Sequence, residues 1–461
     1  MKNKDIQIDF NFSRQLDLQK SIDLSLDTIF PDKIDSVRID ALLTKHINYL
    51  LTELYCCWVE SDKQFLVVSM SKRGYKANSR YNINNISSKL IDSIKFLRDQ
   101  EFIEYYPGFF DLKKKISRLT RIKASPKLVE IFTKLNLNPL NLLNNKNREN
   151  LLLYGRNLKL LEYRDNFETH EIREIIRNYN SILLKTLFDI PSLEKDYILR
   201  GDNKKVLVSH LQTITHRYFL ESWNSTGGFS GCWWNKLDLS SILKFHSQMI
   251  INNSQTNYCD LSKLFFPVLS RKFKINFNKI RTEILIKNTT FINNHEQIYH
   301  LFTKGIASKN VEGFFKSFCN EKNKIGITKK ISKNEFLNFL KLVETTNNEV
   351  FQRFFSQVKI PWESFVSEIF YKIIKNFSSS PIIKVKDKFY YPARIEENIL
   401  KYLNELIEKS AYKKYINYVK SFKCMDFSIN KKSNFFNKLI NQRLNVSKRY
   451  FNNTKKYLEN N

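Results

Sequence analysis

The sequence predicts an α+β protein with a small N-terminal domain and a larger mixed domain. A chain of 461 residues is long enough for two or three domains with buried cores. An apolar content of 42% and an aromatic content of 14% are typical of a folded chain. From about residue 205 to about residue 400, helical apolar spacing alternates with short apolar runs. We expect an N-terminal region at 1–134, an Asn-rich linker at 135–150, connecting helices at 151–204, the larger domain at 205–405 and a basic tail at 406–461.

The charge of the chain indicates a polyanionic partner. The formal net charge is +30, far more than solubility requires, and nucleic acid explains it better than a membrane does. We expect DNA rather than RNA. No apolar run reaches 18 residues and the first residues are polar, which predicts a cytoplasmic protein without a membrane partner. The six cysteines are scattered, so neither a zinc site nor a disulfide framework is expected.

The first 134 residues have the element order of a winged helix. Apolar residues at helical spacing over 36–60 predict a first helix, and the strand QFLVVSM follows. A second helix, capped by Ser87 or Ser88, buries Leu90, Ile91, Ile94 and Leu97. The alternating runs EFIEYY and ISRLTRIKA, joined by a turn at Pro107 and Gly108 and a lysine-rich loop, predict a β-hairpin.

The hairpin carries a compact cationic surface. Its basic residues are Lys113, Lys114, Lys115, Arg118, Arg121 and Lys123. They suit contacts to the phosphates of a duplex or a single strand, and a solvated lysine loop is the simpler alternative. After the linker, Thr169 introduces an amphipathic helix that leads into the larger domain.

The stretch HRYFLESWNSTGGFSGCWW, at 216–234, combines adjacent glycines with paired tryptophans. Glycine lets a ligand approach the backbone closely, and aromatic side chains can stack on a base or a primer terminus. A packed aromatic corner would use the same residues.

Two aspartates interrupt apolar strands, Asp260 in TNYCDLSKLFFP and Asp387 in PIIKVKDKFYYP. Such carboxylates bind the divalent ions of two-metal phosphoryl transfer, and Mg²⁺ prefers oxygen ligands. Taken alone, Asp260 suits a helix N-cap and Asp387 suits a hairpin turn. Lys386 and Lys388 flank Asp387, so we expect them to lower its pKa and to compete with a metal ion.

The tail is strongly basic. Residues 410–461 hold 12 Lys and Arg against 2 Asp and Glu by direct count. A helical tail of this kind could clamp a phosphate backbone, and a solvated charge run is the alternative.

Several segments together resemble a little-characterised group of bacterial and phage mobile-element proteins. GGFSGCWWNKLD is similar to the group's GGRFYGGWWQNIP, which in turn is similar to GRLSS and NLQNIP of family A DNA polymerases. NYCDLSKLFFP resembles ELDYSGLHP, the counterpart of polymerase motif A. PIIKVKDKFYYP resembles PVLPIHDSFIVP, the counterpart of motif C, with Lys386 and Lys388 in place of the histidine and serine. WESFVSEIFYKII looks like the helix before motif C, and SRLTRIKASPKLVEIF looks like the group's winged-helix start.

This resemblance implies a palm and fingers over 205–405, with Asp260 and Asp387 as metal-binding carboxylates. His300 and Lys304 would hold the dNTP triphosphate, as residues spaced i and i+4 on a fingers helix. Template or primer contacts would come from Arg217, Gly227, Gly228, Phe229, Trp234, Lys386 and Lys388.

We therefore expect a replication protein of a mobile element, either a Mg²⁺-dependent DNA polymerase-like nucleotidyltransferase or its catalytically degenerate descendant. A replication initiator or DNA-binding regulator that uses the winged helix is the alternative. A third hypothesis is an unrelated basic protein, either structural or RNA-associated.

Overall fold

A computed structural model describes most of the chain in full-atom detail. The described residues are 6–7, 14–16, 41–76, 78–111, 116–135, 137, 142–144, 147–209, 212–224, 227–264, 292, 295–322, 327, 329–357, 362–409 and 446–460. The helices are α1 (Ala41–Glu60), α2 (Leu90–Asp99), α3 (Pro126–Lys134), α4 (Phe167–Leu184), α5 (Leu239–Phe245), α6 (His295–Ala307), α7 (Val311–Glu321), α8 (Lys333–Thr346), α9 (Asn348–Arg353), α10 (Trp362–Asn376), α11 (Glu396–Lys409) and α12 (Lys448–Asn460).

The strands are short and belong to several small sheets. They are β1 (Ile6–Gln7), β2 (Arg14–Leu16), β3 (Leu66–Val68), β4 (Ile103–Tyr106), β5 (Phe109–Asp111), β6 (Ile116–Arg118), β7 (Thr120–Ala124), β8 (Leu142–Asn144), β9 (Leu151–Tyr154), β10 (Phe188–Asp189), β11 (Tyr197–Leu199), β12 (Lys205–Leu207), β13 (His216–Leu220), β14 (Gly227–Ser230), β15 (Ile250–Ile251), β16 (Thr256–Asp260), β17 (Ile383–Val385) and β18 (Lys388–Pro392). The mixture of helices and strands confirms the predicted α+β class.

The N-terminal part has its own hydrophobic core. The buried faces of α1 and α2 pack with β3, β4 and β7, and these strands form a sheet in the order β1-β3-β7-β4. The face predicted for the second helix is buried in α2. Its predicted cap is wrong, because Lys89 occupies the N-cap position and makes no side-chain cap bond, while the Ser87 hydroxyl accepts from the Lys89 N–H at 3.3 Å.

The larger core extends from residue 151 to residue 403. One three-stranded sheet has the order β14-β13-β9, and a second has the order β16-β18-β17. The segment predicted as connecting helices at 151–204 holds one helix, α4, and the strands β9, β10 and β11. The helix begins earlier than predicted: Asn166 is the N-cap, and Thr169 lies at the third helical position, where it completes a capping box.

The end of the predicted basic tail is a docked helix. The Arg449 guanidinium on α12 pairs with the buried carboxylate of Asp189 on β10 at 2.6 Å and donates to the Ile190 carbonyl at 2.9 Å. Ser447 and Tyr450 add polar contacts to Leu193 and Asn253. Residues 410–445 lie outside the described residues, so the proposed phosphate clamp there stays a prediction.

Candidate functional site

The β16-β18-β17 sheet places the two predicted aspartates side by side. Asp260 is the last residue of β16, and Asp387 is in the tight turn between β17 and β18. Strands β16 and β18 pair in antiparallel register, with Asp260 opposite Lys388. The Leu261 N–H donates to the Asp387 carbonyl at 2.9 Å. The strand–turn–strand predicted for PIIKVKDKFYYP is therefore present, and its tip lies against the end of β16.

Both carboxylate oxygens of Asp260 are already engaged. One oxygen accepts from the Ser262 N–H at 3.0 Å and from its hydroxyl at 2.6 Å. The other accepts from the Lys388 ammonium, and only 12% of the Asp260 side chain and 6% of the Lys388 side chain are exposed. Burial opposes ionisation of Asp260, but Lys388 and Ser262 outweigh it and hold its pKa below the usual value. The site therefore contains a buried ammonium–carboxylate pair.

Asp387 has the opposite electrostatic environment. Burial and the nearby Glu363 raise its pKa to about 6, and they outweigh the opposing effects of Lys384 and the Trp362 indole. The expectation that the adjacent lysines lower this pKa is wrong. The pairing of β16 with β18 directs Lys388 to Asp260 instead, and Lys386 is exposed at the hairpin tip, where its φ is 53°.

Helix α10 supplies a second ion pair beside the hairpin. Glu363, in its first turn, accepts from the ammonium of Lys384 on β17 at 2.7 Å. The Lys384 side chain is 3% exposed, so this ion pair has a buried cation. Lysines 384 and 388 each neutralise one carboxylate of the hairpin region.

The helix predicted to hold a nucleotide faces the same site. His300 and Lys304 lie on α6, and both contact Glu321 of α7, at 3.3 and 3.0 Å. These contacts, led by the His300 hydrogen bond, lower the pKa of Glu321 to about 2. A cavity of about 450 Å³ is lined by His300, Glu321, Glu363, Lys386, Asp387 and Lys388, together with Lys236 and Asp238 from the segment after the tryptophans. Three segments that are distant in sequence therefore converge on one cavity.

The arrangement does not fit a pair of Mg²⁺ ions. Magnesium requires free oxygen ligands at octahedral positions. The Asp260 oxygens are used by Lys388 and Ser262, so neither oxygen is free to bind an ion. Within the described part of the chain, no three His, Cys, Asp or Glu side chains lie close enough together to hold a metal ion.

The other predicted template and primer contacts lie away from this cavity. Phe229 and Trp234 are buried in the larger core, where Phe229 packs edge-on against Phe370 at 4.9 Å and Trp234 against Phe188 at 5.3 Å. A Cβ at Gly228 would lie within 2.6 Å of the Tyr218 ring, so this glycine makes room for a side chain of the protein. These contacts are those of the packed aromatic corner. Arg217 and Gly227 line a different cavity.

The predicted cationic hairpin is described in part. Lys113, Lys114 and Lys115 lie outside the described residues. Arg118 is exposed on β6, and the Arg121 guanidinium lies 4.5 Å from the centre of the Phe65 ring. Phe109 and Phe110, on the partner strand β5, are 51% and 67% exposed. The hairpin thus presents aromatic rings as well as a cation.

Glu321, Glu363 and Lys384 were not predicted as site residues. Glu363 and Lys384 belong to segments that the resemblance does identify, the helix before motif C and motif C itself. Their pairing joins residues 21 positions apart, and no local spacing indicates it.

Comparison of the chain with protein-family models, with curated proteins and with solved structures finds no match in any of the three. Among the residues that the structure describes, no helix is both long enough and apolar enough to cross a membrane.

Proposed function

We propose that the chain is a nucleic-acid-binding replication protein of a mobile element, built on a polymerase-like palm whose metal site is degenerate. The observation that carries this proposal is the Lys388–Asp260 pair at the junction of β16 and β18. The Leu261 N–H donates to the Asp387 carbonyl, so the two aspartates lie close together at the end of β16; the polymerase-like interpretation would make them the former catalytic carboxylates. The ammonium of Lys388 supplies the positive charge that such a site otherwise receives from a metal ion.

The position of helix α6 supports the polymerase-like interpretation. In that interpretation α6 is a fingers helix, and it presents His300 to the cavity that contains Asp387. His300 and Lys304 share the Glu321 carboxylate, which reduces the positive charge they offer to a triphosphate. This internal pairing favours the degenerate descendant over an active enzyme that uses Mg²⁺ and dNTPs.

The N-terminal part and the overall charge support nucleic-acid binding. The order of helices and strands in 41–134, with β7 between β3 and β4, is the order expected of a winged helix. Its β5–β6 hairpin exposes Arg118 for phosphate contact and Phe110 for stacking on a base. The net charge of +30 provides long-range attraction to the phosphate backbone.

The test combines oligonucleotide binding with primer extension on the full-length chain. We expect DNA to bind in EDTA, without any divalent ion, and the binding, measured by fluorescence anisotropy, to weaken steeply with salt. We expect no template-directed extension with Mg²⁺ or Mn²⁺. Extension that is lost in both Asp260→Ala and Asp387→Ala would show an active polymerase and contradict the degenerate site. DNA binding that does not change with salt would contradict the phosphate-driven interaction.

A second candidate, a replication initiator or DNA-binding regulator, is favoured by the exposed β5–β6 hairpin. Phe109 and Phe110 lie on a strand whose two faces are both exposed, so the hairpin is accessible to a duplex. Binding of one duplex sequence that is lost in Arg118→Ala and Phe110→Ala, but retained in Lys388→Ala, would identify this function.

A further inference from the structure

A second cavity, of about 480 Å³, lies along helix α10 and is separate from the aspartate hairpin. Its lining includes Arg217, Phe219, Trp223, Glu368 and Tyr371. This volume is within the range of small-molecule sites. The polymerase-like interpretation assigns a template or primer contact to Arg217 but none to Phe219, Trp223 or Tyr371.

The Arg217 guanidinium is buried with part of its hydrogen-bonding capacity unused. The side chain is 7% exposed, and its Nη2 donates to Glu368 at 2.7 Å. Its Nε and Nη1 are buried, and no hydrogen-bond acceptor for them lies within the described ranges of the chain. The guanidinium lies 3.9 Å from the centre of the Tyr371 ring and 4.8 Å from that of Phe219. Stacking of this kind offsets only part of the cost of two unsatisfied donors.

The charges around the cavity favour a neutral ligand over a phosphate. Glu168, Glu171 and Glu368 line it, against the two cations Arg217 and Lys375. Lys375 is paired with Glu171 at 2.5 Å. The excess of carboxylates would repel a phosphate group. A nucleobase carries no charge, so it would not be repelled.

The ring surfaces of the cavity suit a planar ligand. Trp223 is half-buried at its edge, and packs at 5.3 Å from Phe219 and 4.7 Å from Tyr163. A base can stack on such rings with a gain of about 1–3 kcal/mol. Arginine pairs most often with the O6 and N7 acceptors of guanine, and carboxylates accept from base amino groups. An arginine with spare donors next to glutamates therefore matches the two kinds of edge that guanine offers.

We propose that this cavity binds an unpaired guanine base of the nucleic acid, with Arg217 donating to its acceptor edge and Trp223 stacking at the entrance. The proposal rests on the nucleic-acid-binding function, which it deepens by adding a base-specific contact outside the aspartate hairpin.

The test uses free nucleosides, because they lack the phosphates that drive oligonucleotide binding. Binding of guanosine to the full-length chain is measured by calorimetry and by quenching of tryptophan fluorescence. We expect guanosine to bind at least tenfold more tightly than 7-deazaguanosine, which lacks the N7 acceptor. Equal binding of the two nucleosides, or binding of neither, overturns the proposal. This comparison uses the wild-type chain and does not depend on the folding of a variant.

Variants then locate the site. We expect Arg217→Lys, which keeps the charge but loses the planar fork of donors, to abolish the preference for guanosine. Trp223→Leu should weaken guanosine binding and remove the fluorescence response. Arg156→Lys is the matched control, because the Arg156 side chain is 87% exposed and does not line the cavity. A preference that survives in both Arg217→Lys and Trp223→Leu contradicts the assigned cavity.

The nucleic-acid-binding function and the guanine site can be tested separately. If guanosine binds as expected but oligonucleotides do not bind, the nucleic-acid function fails while the base site stands. If oligonucleotides bind with the expected salt dependence and guanosine shows no preference, only the base site fails.

Discussion

The raised pKa of Asp387 makes a quantitative prediction about stability. Its folded-state pKa is about 6, against an ordinary 3.8. Each pKa unit corresponds to about 1.4 kcal/mol, so the ionised carboxylate costs the folded state at most about 3 kcal/mol at neutral pH. We therefore expect the isosteric Asp387→Asn substitution to stabilise the protein at pH 8 by about 2–3 kcal/mol.

The pH dependence follows from the sign of the shift. Below about pH 4 the carboxyl is protonated in both the folded and the unfolded states, so the cost disappears. Between about pH 4 and about pH 6 the unfolded state releases its proton first, and the stability of the wild type falls as the pH rises. The advantage of Asp387→Asn should grow through this interval and stay constant above it.

Urea unfolding, followed by tryptophan fluorescence from pH 4 to 8, measures this difference. Asp62→Asn, at an exposed aspartate, is the matched control and should show no comparable change. An Asp387→Asn variant that is no more stable than the wild type at pH 8, or an advantage that is independent of pH, would refute the assigned environment.

Three further predictions concern packing and ion pairs. Lys388→Met leaves the buried Asp260 carboxylate unpaired and should cost about 3–5 kcal/mol in urea unfolding, with most of the loss recovered in the double variant with Asp260→Asn; equal losses in the single and double variants would contradict the pairing. Arg449→Met leaves the buried carboxylate of Asp189 on β10 without its cation, so we expect α12 to become accessible to limited proteolysis. Lys455→Met, at an exposed position of the same helix, should not have this effect. Gly228→Ala forces a methyl group against the Tyr218 ring and should lower the free energy of unfolding by about 1–3 kcal/mol; an unchanged stability would leave ligand approach as the reason for this glycine.

Local patterns predicted the elements that surround the site. The apolar residues on both sides of Lys386 and Asp387 predicted the β17–β18 hairpin, and helical spacing predicted α1, the buried face of α2 and most of α4. Alternation and helical periodicity are properties of neighbouring residues, so the sequence carries them directly. The cap of α2 was misplaced because two adjacent serines offered the same signal, and neither residue caps the helix.

The partners of the charged groups could not be predicted in this way. Lys388 is adjacent to Asp387 in sequence, but it bonds to Asp260, 128 residues away, because the pairing of β16 with β18 places them opposite each other. The Arg449–Asp189 pair spans 260 residues and also depends on tertiary packing. Whether a carboxylate is free for a metal ion or neutralised by lysine is decided by these long-range contacts.

The central claim is that Lys388 occupies the place of a metal ion at Asp260. A titration of the wild-type chain with Mn²⁺, followed by electron paramagnetic resonance, tests it directly. We expect no Mn²⁺ site that depends on Asp260 in the wild type, and we expect one to appear in Lys388→Ser. Specific Mn²⁺ binding to the wild type that disappears in Asp260→Asn would contradict the account.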